Sequence, residues 1–174
     1  MLKFRLAKQT DVESVAEIYN KIHSREESGQ ASTGWKRNIY PTKETAEKSF
    51  GNNELFVGEY NGKVVASGRI NQEQGDEYSL VPWSFAAEDS EVMVLHTLTV
   101  DPNFEGRGFA KAFIKFYENY ALQNGCGVLR IDTNEINVKA RNMYRKAGYR
   151  EAAVVPCTFN GIAGVNLVCL EKKL

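Results

Sequence analysis

The segment LTVDPNFEGRGFA (residues 98–110) carries the strongest structural signal in this chain. β-favouring residues end at Val100, two glycines follow at Gly106 and Gly108, and apolar residues then recur with helical spacing. The segment therefore predicts a strand, a glycine-rich loop and the start of a helix. Glycines let a large anion approach the backbone, and a helix N-terminus presents free N–H groups and a positive dipole end. We expect an anion cradle here, with Arg107 as an added cation, although a glycine-rich turn also serves simply to connect two elements.

Two common phosphate motifs do not fit this loop. A dinucleotide fingerprint requires Gly or Ala at position 111, where the chain has Lys111. A P-loop requires Gly-Lys followed by Ser or Thr, and the sequence contains no such run. A cradle at this position therefore belongs to another kind of phosphate site.

The patterns on both sides of the loop predict short elements in a definite order. Downstream we expect a helix with an aromatic stripe from Phe109 to Ala121, a strand at 128–132, a helix at 137–147 ended by Gly148, and strands at 152–156 and 165–171. Upstream we expect a strand at 4–7, a helix opened by a Thr10–Glu13 capping box, and a loop or broken helix at 23–40. A helix at 42–50, a hairpin at 55–70 that turns at Asn61-Gly62, and a strand at 91–100 then follow.

This order, β-α-α-β-β-β-α-β-α-β-β, places antiparallel hairpins first and one parallel βαβ step in the middle. It predicts a mixed α+β fold, with a mostly antiparallel central sheet flanked by helices. The length fits one domain over residues 1–174.

The composition excludes several classes of protein. Lys plus Arg and Asp plus Glu each number 22, so the chain lacks the basic excess of a nucleic-acid-binding protein. No apolar stretch is long enough for a membrane helix or a signal peptide. Three cysteines without a short-spaced pair, and only two histidines, do not fit a zinc site and are typical of reduced thiols. We therefore expect a cytoplasmic protein without nucleic-acid, membrane or metal partners.

A second group of residues lies on the predicted helix at 137–147. Asn137, Ala140 and Tyr144 follow one another at spacings of three and four, so they share one helical face. Asn137 can cap the helix and Tyr144 can line the core. A tyrosine hydroxyl is also a usable acid where a leaving group needs a proton.

Together, the loop and this helix resemble the GNAT superfamily of acetyl-CoA-dependent N-acetyltransferases. The cofactor loop of that family follows Q/R-x-x-G-x-G/A, which corresponds here to residues 105–110. Its next motif has Asn, a small residue, Tyr, and Gly followed by an aromatic residue, as at 137–149. One departure is Glu105, where the family usually has Gln or Arg. An acidic side chain that pointed inward would repel a pyrophosphate.

The resemblance in element order covers nearly the whole chain, and it implies that acetyl-CoA is the cofactor. The implied cofactor-binding residues are Leu98, Thr99, Val100, Glu105, Gly106, Arg107, Gly108, Phe109, Ala110, Lys111, Asn137, Ala140 and Tyr144.

The resemblance also implies direct attack by an amine in a ternary complex. The pantetheine arm would lie along the strand that ends at Val100, and a bulge there would free backbone N–H groups, which makes the amide of Leu98 the candidate oxyanion donor. Tyr144 is the candidate general acid on the departing sulfur. His96 lies two residues before Leu98, so both side chains are expected on one strand face, and His96 is the candidate base. Glu91 is the alternative base.

In this family the acceptor is held by the region after the first helix and by the last strands. The candidate substrate-binding residues are Trp35, Tyr40 and Trp83, with Phe159, Glu26 and Glu27 in the same regions. Aromatic walls and carboxylates suit a cationic amine, so a small primary amine is the expected acceptor. A protein or peptide N-acetyltransferase and a non-catalytic acyl-CoA-binding module stay open as alternatives. The chain is expected to be a monomer or a homodimer.

Overall fold

The computed structural model describes the whole chain, Met1–Leu174, as seven strands and four α-helices. The strands are β1 (Leu2–Leu6), β2 (Leu55–Tyr60), β3 (Lys63–Asn71), β4 (Val92–Val100), β5 (Val128–Asn134), β6 (Arg150–Phe159) and β7 (Ile162–Lys173). The helices are α1 (Asp11–Glu27), α2 (Lys43–Gly51), α3 (Phe109–Gln123) and α4 (Val138–Lys146). The predicted order of elements is confirmed, and no helix is long and apolar enough to cross a membrane.

All the strands form one sheet with the order β1-β2-β3-β4-β5-β7-β6. Only β4 and β5 pair in parallel, and α3 makes the connection between them. The β2–β3 hairpin turns at Asn61 and Gly62, whose φ angles are 51° and 76°. Both values are positive, as the predicted tight turn requires, and the hairpin is confirmed.

Helix α1 is longer than the sequence pattern indicated. It continues to Glu27, whereas a loop or broken helix was expected from residue 23. His23 is only 2% exposed, because its Nε2 donates to the carbonyl oxygen of Pro41 at 2.8 Å and the polar ring faces the core. The predicted capping box does not form, since the Thr10 side chain makes no cap hydrogen bond and the carboxylate of Asp11 accepts from the Lys8 backbone N–H at 2.7 Å.

The two faces of the sheet carry different elements. Residues of α3 and α4 pack with Leu95, Leu129 and Ile131 in one core cluster. On the opposite face, Val94, Val128 and Cys169 pack with the connection between β3 and β4. Helices α1 and α2 also cover that second face, over β2. We call the first the helix α3 face and the second the helix α1 face.

Strands β4 and β5 separate halfway along their length. They pair from Val92 opposite Val128 to Leu95 opposite Ile131, and beyond that point β5 stays paired with β7 as far as Asn134. At the same level β4 bulges against β3, because two residues, Thr97 and Leu98, stand between the paired positions that enclose Gly68. The sheet therefore opens between β4 and β5, and this opening positions the candidate site.

Candidate functional site

A cleft of about 610 Å³ occupies the opening between β4 and β5. Its walls come from the end of β4, the glycine-rich loop, the end of β5, α4, the loop after α1, the connection between β3 and β4, and the β6–β7 hairpin. The cleft contains residues of both sheet faces, since Leu95 belongs to the helix α3 face and Asp132 pairs with Cys169 of the helix α1 face. Two molecules that enter from opposite faces could therefore meet in the opening.

The glycine-rich loop lies at the start of α3 and has the backbone conformation that the predicted anion cradle needs. Gly106 and Gly108 both have a φ of 77°, and a Cβ added at either would meet no atom within 4 Å. The glycines are therefore required by backbone conformation and not by lack of space. No backbone N–H group from Gly106 to Lys111 donates to another group of the protein. These free donors, at the start of the 15-residue helix α3, suit a phosphate or pyrophosphate.

Glu105 is neutralised by two cations that were not predicted. Its carboxylate pairs with Arg25 of α1 at 2.8 Å and with Lys139 of α4, and all three residues line the cleft. Arg107, the expected compensating cation, is exposed and lies over the ring of Phe104, with Cζ 5.2 Å from the ring centroid. It does not line the cleft, so its contact with a cofactor stays a prediction.

Asn137 and Tyr144 both line the cleft from α4. Asn137 is the N-cap, and its Oδ1 accepts from the Ala140 backbone N–H at 3.2 Å, which explains the Asn by capping alone. Tyr144 is 5% exposed and belongs to the core cluster of the helix α3 face. Burial, with the nearby charge of Asp132, raises the pKa of the Tyr144 hydroxyl, so this group keeps its proton at neutral pH and can donate it.

The bulge in β4 overturns the expected alignment of His96 and Leu98. His96 contacts Asn71 on the helix α1 face, whereas Leu98 packs against the core cluster of the helix α3 face. Side chains two residues apart share a face only in a regular strand, and the extra residue here breaks that alternation. Thr97 absorbs the irregularity, with a φ of 52°. The two predicted catalytic residues therefore stand on opposite sides of the opening, both in the cleft wall.

The structure treats the two candidate bases differently. His96 lines the cleft, and its Nε2 donates to Oδ1 of Asn71 at 2.9 Å. Burial, helped by the charge of Arg69, lowers the pKa of His96 to about 3, so the ring is neutral but only weakly basic. Glu91 lies outside the cleft, because it is exposed in a turn before β4 while the opening is at the other end of that strand. The alternative assignment of Glu91 as base is therefore wrong on position.

Two of the three predicted acceptor residues lie in the cleft. Trp35 and Tyr40 face each other edge to face, with ring centroids 6.1 Å apart, and Phe159 also lines the wall. Trp83 does not, because its indole lies under the guanidinium of Arg130, with Cζ 4.2 Å from the ring centroid, and Nε1 donates to the Tyr78 carbonyl at 3.0 Å. Trp83 instead holds the connection between β3 and β4 onto the sheet, and its role as a substrate-binding residue stays a prediction.

The acidic residues at the end of α1, Glu26 and Glu27, lie beside the cleft without lining it. Glu26 accepts from the backbone N–H groups of Thr33 at 2.8 Å and Gly34 at 2.9 Å, so it holds the loop that carries Trp35. Glu27 pairs with Arg37 at 2.8 Å at the surface. Neither carboxylate lines the cleft, so neither is placed to contact a molecule bound there.

Asp132 and Tyr78 are cleft residues that sequence reasoning missed. The Tyr78 hydroxyl donates to Oδ2 of Asp132 at 2.8 Å, and both residues line the cleft. Burial raises the pKa of Asp132 to about 6, although the Tyr78 hydrogen bond opposes that shift. An acidic residue directly after Ile131 in the middle of the β5 sequence was the available sequence signal. Its partner stands 54 residues away and follows from the fold alone.

Comparison with known proteins agrees with this architecture. Residues 13–149 match the family model described as acetyltransferase (GNAT) family. An uncharacterised N-acetyltransferase of Methanocaldococcus jannaschii is 31% identical over 101 residues, which cover 58% of this chain and 41% of that relative's length. An uncharacterised N-acetyltransferase of Bacillus subtilis, YhfO, is 25% identical over 152 residues, which cover 86% of this chain and 91% of YhfO.

Solved structures show the same fold. An acetyltransferase of the GNAT family from Streptococcus agalactiae superposes with a TM-score of 0.81 at 20% identity, covering 99% of this chain and 95% of that one. The yncA protein of Salmonella typhimurium, solved with its cofactor acetyl-CoA, superposes with a TM-score of 0.71 at 14% identity, covering 99% of this chain and 94% of that one. The match of the family model over most of the sequence, on a fold with this sheet opening and this cradle, shows that the chain belongs to the GNAT acetyltransferase family.

Proposed function

We propose that this protein transfers the acetyl group of acetyl-CoA to the primary amine of a small molecule, by direct attack in a ternary complex. The observation that carries the proposal is the cleft itself. It passes through the sheet between β4 and β5, with free backbone N–H groups on one side and aromatic and carboxyl side chains on the other. A donor and an acceptor can therefore approach from opposite faces and meet in the opening.

The cradle supports acetyl-CoA as the donor. The free N–H groups from Gly106 to Lys111 would hold the pyrophosphate, and Arg25 and Lys139 stand beside them. Residues 98–100 would run beside the pantetheine arm, and acetyl-CoA supplies an activated thioester when bound. The structural neighbour from Salmonella typhimurium was solved with acetyl-CoA, which favours the same cofactor here.

Two groups of this chain would act on the reacting atoms. The backbone N–H of Leu98, at the bulge, would donate to the developing oxyanion, and one such donor contributes about 3 kcal/mol of transition-state stabilisation. Tyr144 would give its hydroxyl proton to the departing sulfur, because it lines the cleft from α4 and is protonated at neutral pH.

Contacts across the acceptor end of the cleft favour a small molecule over a peptide. The loop after α1 contacts β5, where Gly34 packs against Asn134. It also contacts the β6–β7 turn, since a Cβ built on Gly161 would lie 3.2 Å from Cγ2 of Ile39. These contacts join the loop to the far side of the cleft. A chain segment would need an open groove there, whereas a small amine fits beside Trp35 and Tyr40.

The test has two stages. Thermal unfolding is followed with acetyl-CoA, CoA, NAD and ATP, and we expect stabilisation by the two CoA species alone, about 2.7 kcal/mol at 100 times Kd. Thiol release is then followed with a panel of small primary amines and a matched panel of amino-terminal and lysine peptides. Turnover with small amines supports the proposal. Turnover with peptides alone makes the protein a peptide acetyltransferase, and CoA binding without any turnover makes it a binding module.

We propose the cytoplasm as the compartment, because Cys126, Cys157 and Cys169 are all free thiols. We propose a monomer or a homodimer.

A further inference from the structure

We propose that Asp132 accepts the proton of the acceptor amine and that Tyr78 positions the Asp132 carboxylate for this step. The inference rests on the proposed function, because it assigns the base of the same transfer. Asp132 lies at the sheet opening, accepts one hydrogen bond from Tyr78 and forms no ion pair with a lysine or arginine.

Asp132 stands at the point where the sheet opens. Ile131 is the last residue of β5 paired with β4, and Asp132 follows it. Its register partner on β7 is Cys169, a residue of the helix α1 face, so the carboxylate points to the side from which the acceptor would enter. Tyr78 donates to Oδ2, and no other hydrogen bond reaches the carboxylate, which leaves Oδ1 free for a ligand.

Asp132 is half-buried in the cleft wall and lacks the cation that the fully buried acids have. Asp11, Asp101, Glu118 and Glu171 are each less than 9% exposed, and each pairs with a lysine or arginine of the protein. Asp132 forms no ion pair. The cation nearest in effect, Arg69, is bound to Glu73 at 3.1 Å and to Glu54 at 3.8 Å. A carboxylate that is taken from water without a cation is costly, and an ammonium group of a substrate would supply the missing partner.

The proton transfer balances without any further reagent. An N–H proton of the acceptor ammonium passes to Oδ1 of Asp132, and the nitrogen lone pair forms the new C–N bond to the acetyl carbonyl carbon. The C–S bond breaks as the carbonyl re-forms, and the sulfur takes the hydroxyl proton of Tyr144. The second proton leaving the nitrogen restores the Tyr144 hydroxyl, and Asp132 releases its proton to solvent after the amide has formed. His96 is the weaker candidate for the first step, because its Nε2 is already used on Asn71 and burial lowers its pKa to about 3.

The groups around Asp132 define the pH dependence. Seven titratable groups interact electrostatically with Asp132. They are Glu77 and Tyr78 of the connection between β3 and β4, Arg69 of β3, Tyr40 of the loop after α1, Tyr144 of α4, Cys157 of β6 and Cys169 of β7. Burial and the charge of Glu77 raise the pKa of Asp132 to about 6, although the Tyr78 hydrogen bond and the charge of Arg69 lower it. The carboxylate is therefore ionised, and able to accept a proton, above that pH.

The experiment compares Asp132→Asn, Tyr78→Phe and the wild type on the best amine of the panel, across pH 5 to 9. Glu91→Gln is the matched control, since it makes the same carboxylate-to-amide change outside the cleft. We expect Asp132→Asn to lower kcat/KM by about 100-fold or more with the Kd for acetyl-CoA within twofold. We expect Tyr78→Phe to move the acidic limb to higher pH and to regain most of the rate above it, because a hydrogen bond that lowers the pKa of Asp132 is gone.

The outcomes separate the two proposals. Full activity of Asp132→Asn, or an acidic limb that stays in place in Tyr78→Phe, overturns the assignment of the base and leaves the proposed function intact. A wild type that binds acetyl-CoA and acetylates no amine overturns both. If Asp132→Asn is poorly folded by circular dichroism, the Tyr78→Phe profile decides, since a purely structural tyrosine would lower the rate at every pH equally.

Discussion

The carboxylate of Glu105 lies 2.8 Å from the guanidinium of Arg25, which joins the glycine-rich loop to α1 across the mouth of the cradle. Glu105 is also the position at which the chain departs from the usual family pattern. The ion pair shows how an acid is tolerated there, because cations of α1 and α4 compensate its charge. It also means that these cations are shared between Glu105 and any phosphate in the cradle.

Replacing Glu105 by Gln is therefore expected to tighten acetyl-CoA binding. The change removes a negative charge beside the phosphates and frees Arg25 and Lys139. Because the pair is exposed, the gain is modest, about two- to fivefold in Kd, and it should shrink as salt rises from 20 mM to 300 mM. Calorimetric titration measures it, with Glu27→Gln as the control, since Glu27 also pairs with an arginine but lies outside the cleft. Weaker binding in Glu105→Gln would show that the ion pair holds the cradle in shape.

The second prediction concerns Tyr144. Tyr144→Phe removes the proton donor for the departing sulfur and leaves the buried ring in place. We expect kcat to fall at least tenfold, while the Kd for acetyl-CoA stays within twofold. Steady-state thiol release and calorimetry provide the two numbers. Unchanged turnover in this variant would remove Tyr144 from the mechanism.

The third prediction separates backbone conformation from space at the cradle. Gly108→Ala places a side chain at a φ of 77°, where no atom would be met, so the expected cost of about 1–2 kcal/mol comes from the backbone alone. Gly127→Ala is the matched control, because its Cβ also meets no atom and its φ is not positive. Urea unfolding and acetyl-CoA titration should show a loss in Gly108→Ala only. An equal loss in both variants would contradict the conformational explanation.

The fourth prediction uses the pH dependence of stability at Asp132. Folding raises the pKa of this group from 3.8 to about 6, so the folded chain holds the proton more tightly. The stabilisation is present below pH 4 and is lost as the pH rises through 6. Asp132→Asn should therefore unfold like the wild type at pH 4 and gain at most about 3 kcal/mol at pH 8.

The control for that stability test is Asp101→Asn. Asp101 is buried and pairs with Lys21 at 2.7 Å, so its loss should destabilise the protein at pH 8. Urea unfolding at pH 4, 6 and 8 provides the comparison. If Asp132→Asn lost stability at pH 8 as Asp101→Asn does, Asp132 would be a structural acid and not a group held ready for a substrate.

Local features were predictable from the sequence. The Asn61-Gly62 turn, the glycines of the cradle and the cap at Asn137 each depend on residues within a few positions of one another. Short runs of β-favouring residues also predicted the order of the strands along the chain. The family motif made Tyr144 a candidate catalytic residue. Each of these signals lies within a single element or turn.

Features that depend on distant contacts were not predictable in the same way. His23 lies inside α1 because Pro41 accepts its hydrogen bond, and Trp83 is held by Arg130, 47 positions along by residue number, which no local pattern reveals. The bulge at Thr97 moved Leu98 to the other face, because the extra residue is defined only by pairing with β3. The partnership of Asp132 with Tyr78 likewise arises when the connection between β3 and β4 folds over β5.

The opening between β4 and β5 divides the sheet into two blocks, one of β1 to β4 and one of β5 to β7. Strand pairing joins the two blocks only along the short parallel segment from Val92 to Leu95. The loop after α1 adds a second joint, made of side-chain contacts at Gly34 and Ile39. Both joints border the cleft, through Leu95 of the parallel segment and Gly34 of the loop. The grip on a ligand and the rigidity with which the two blocks are held together are thus set by the same few contacts.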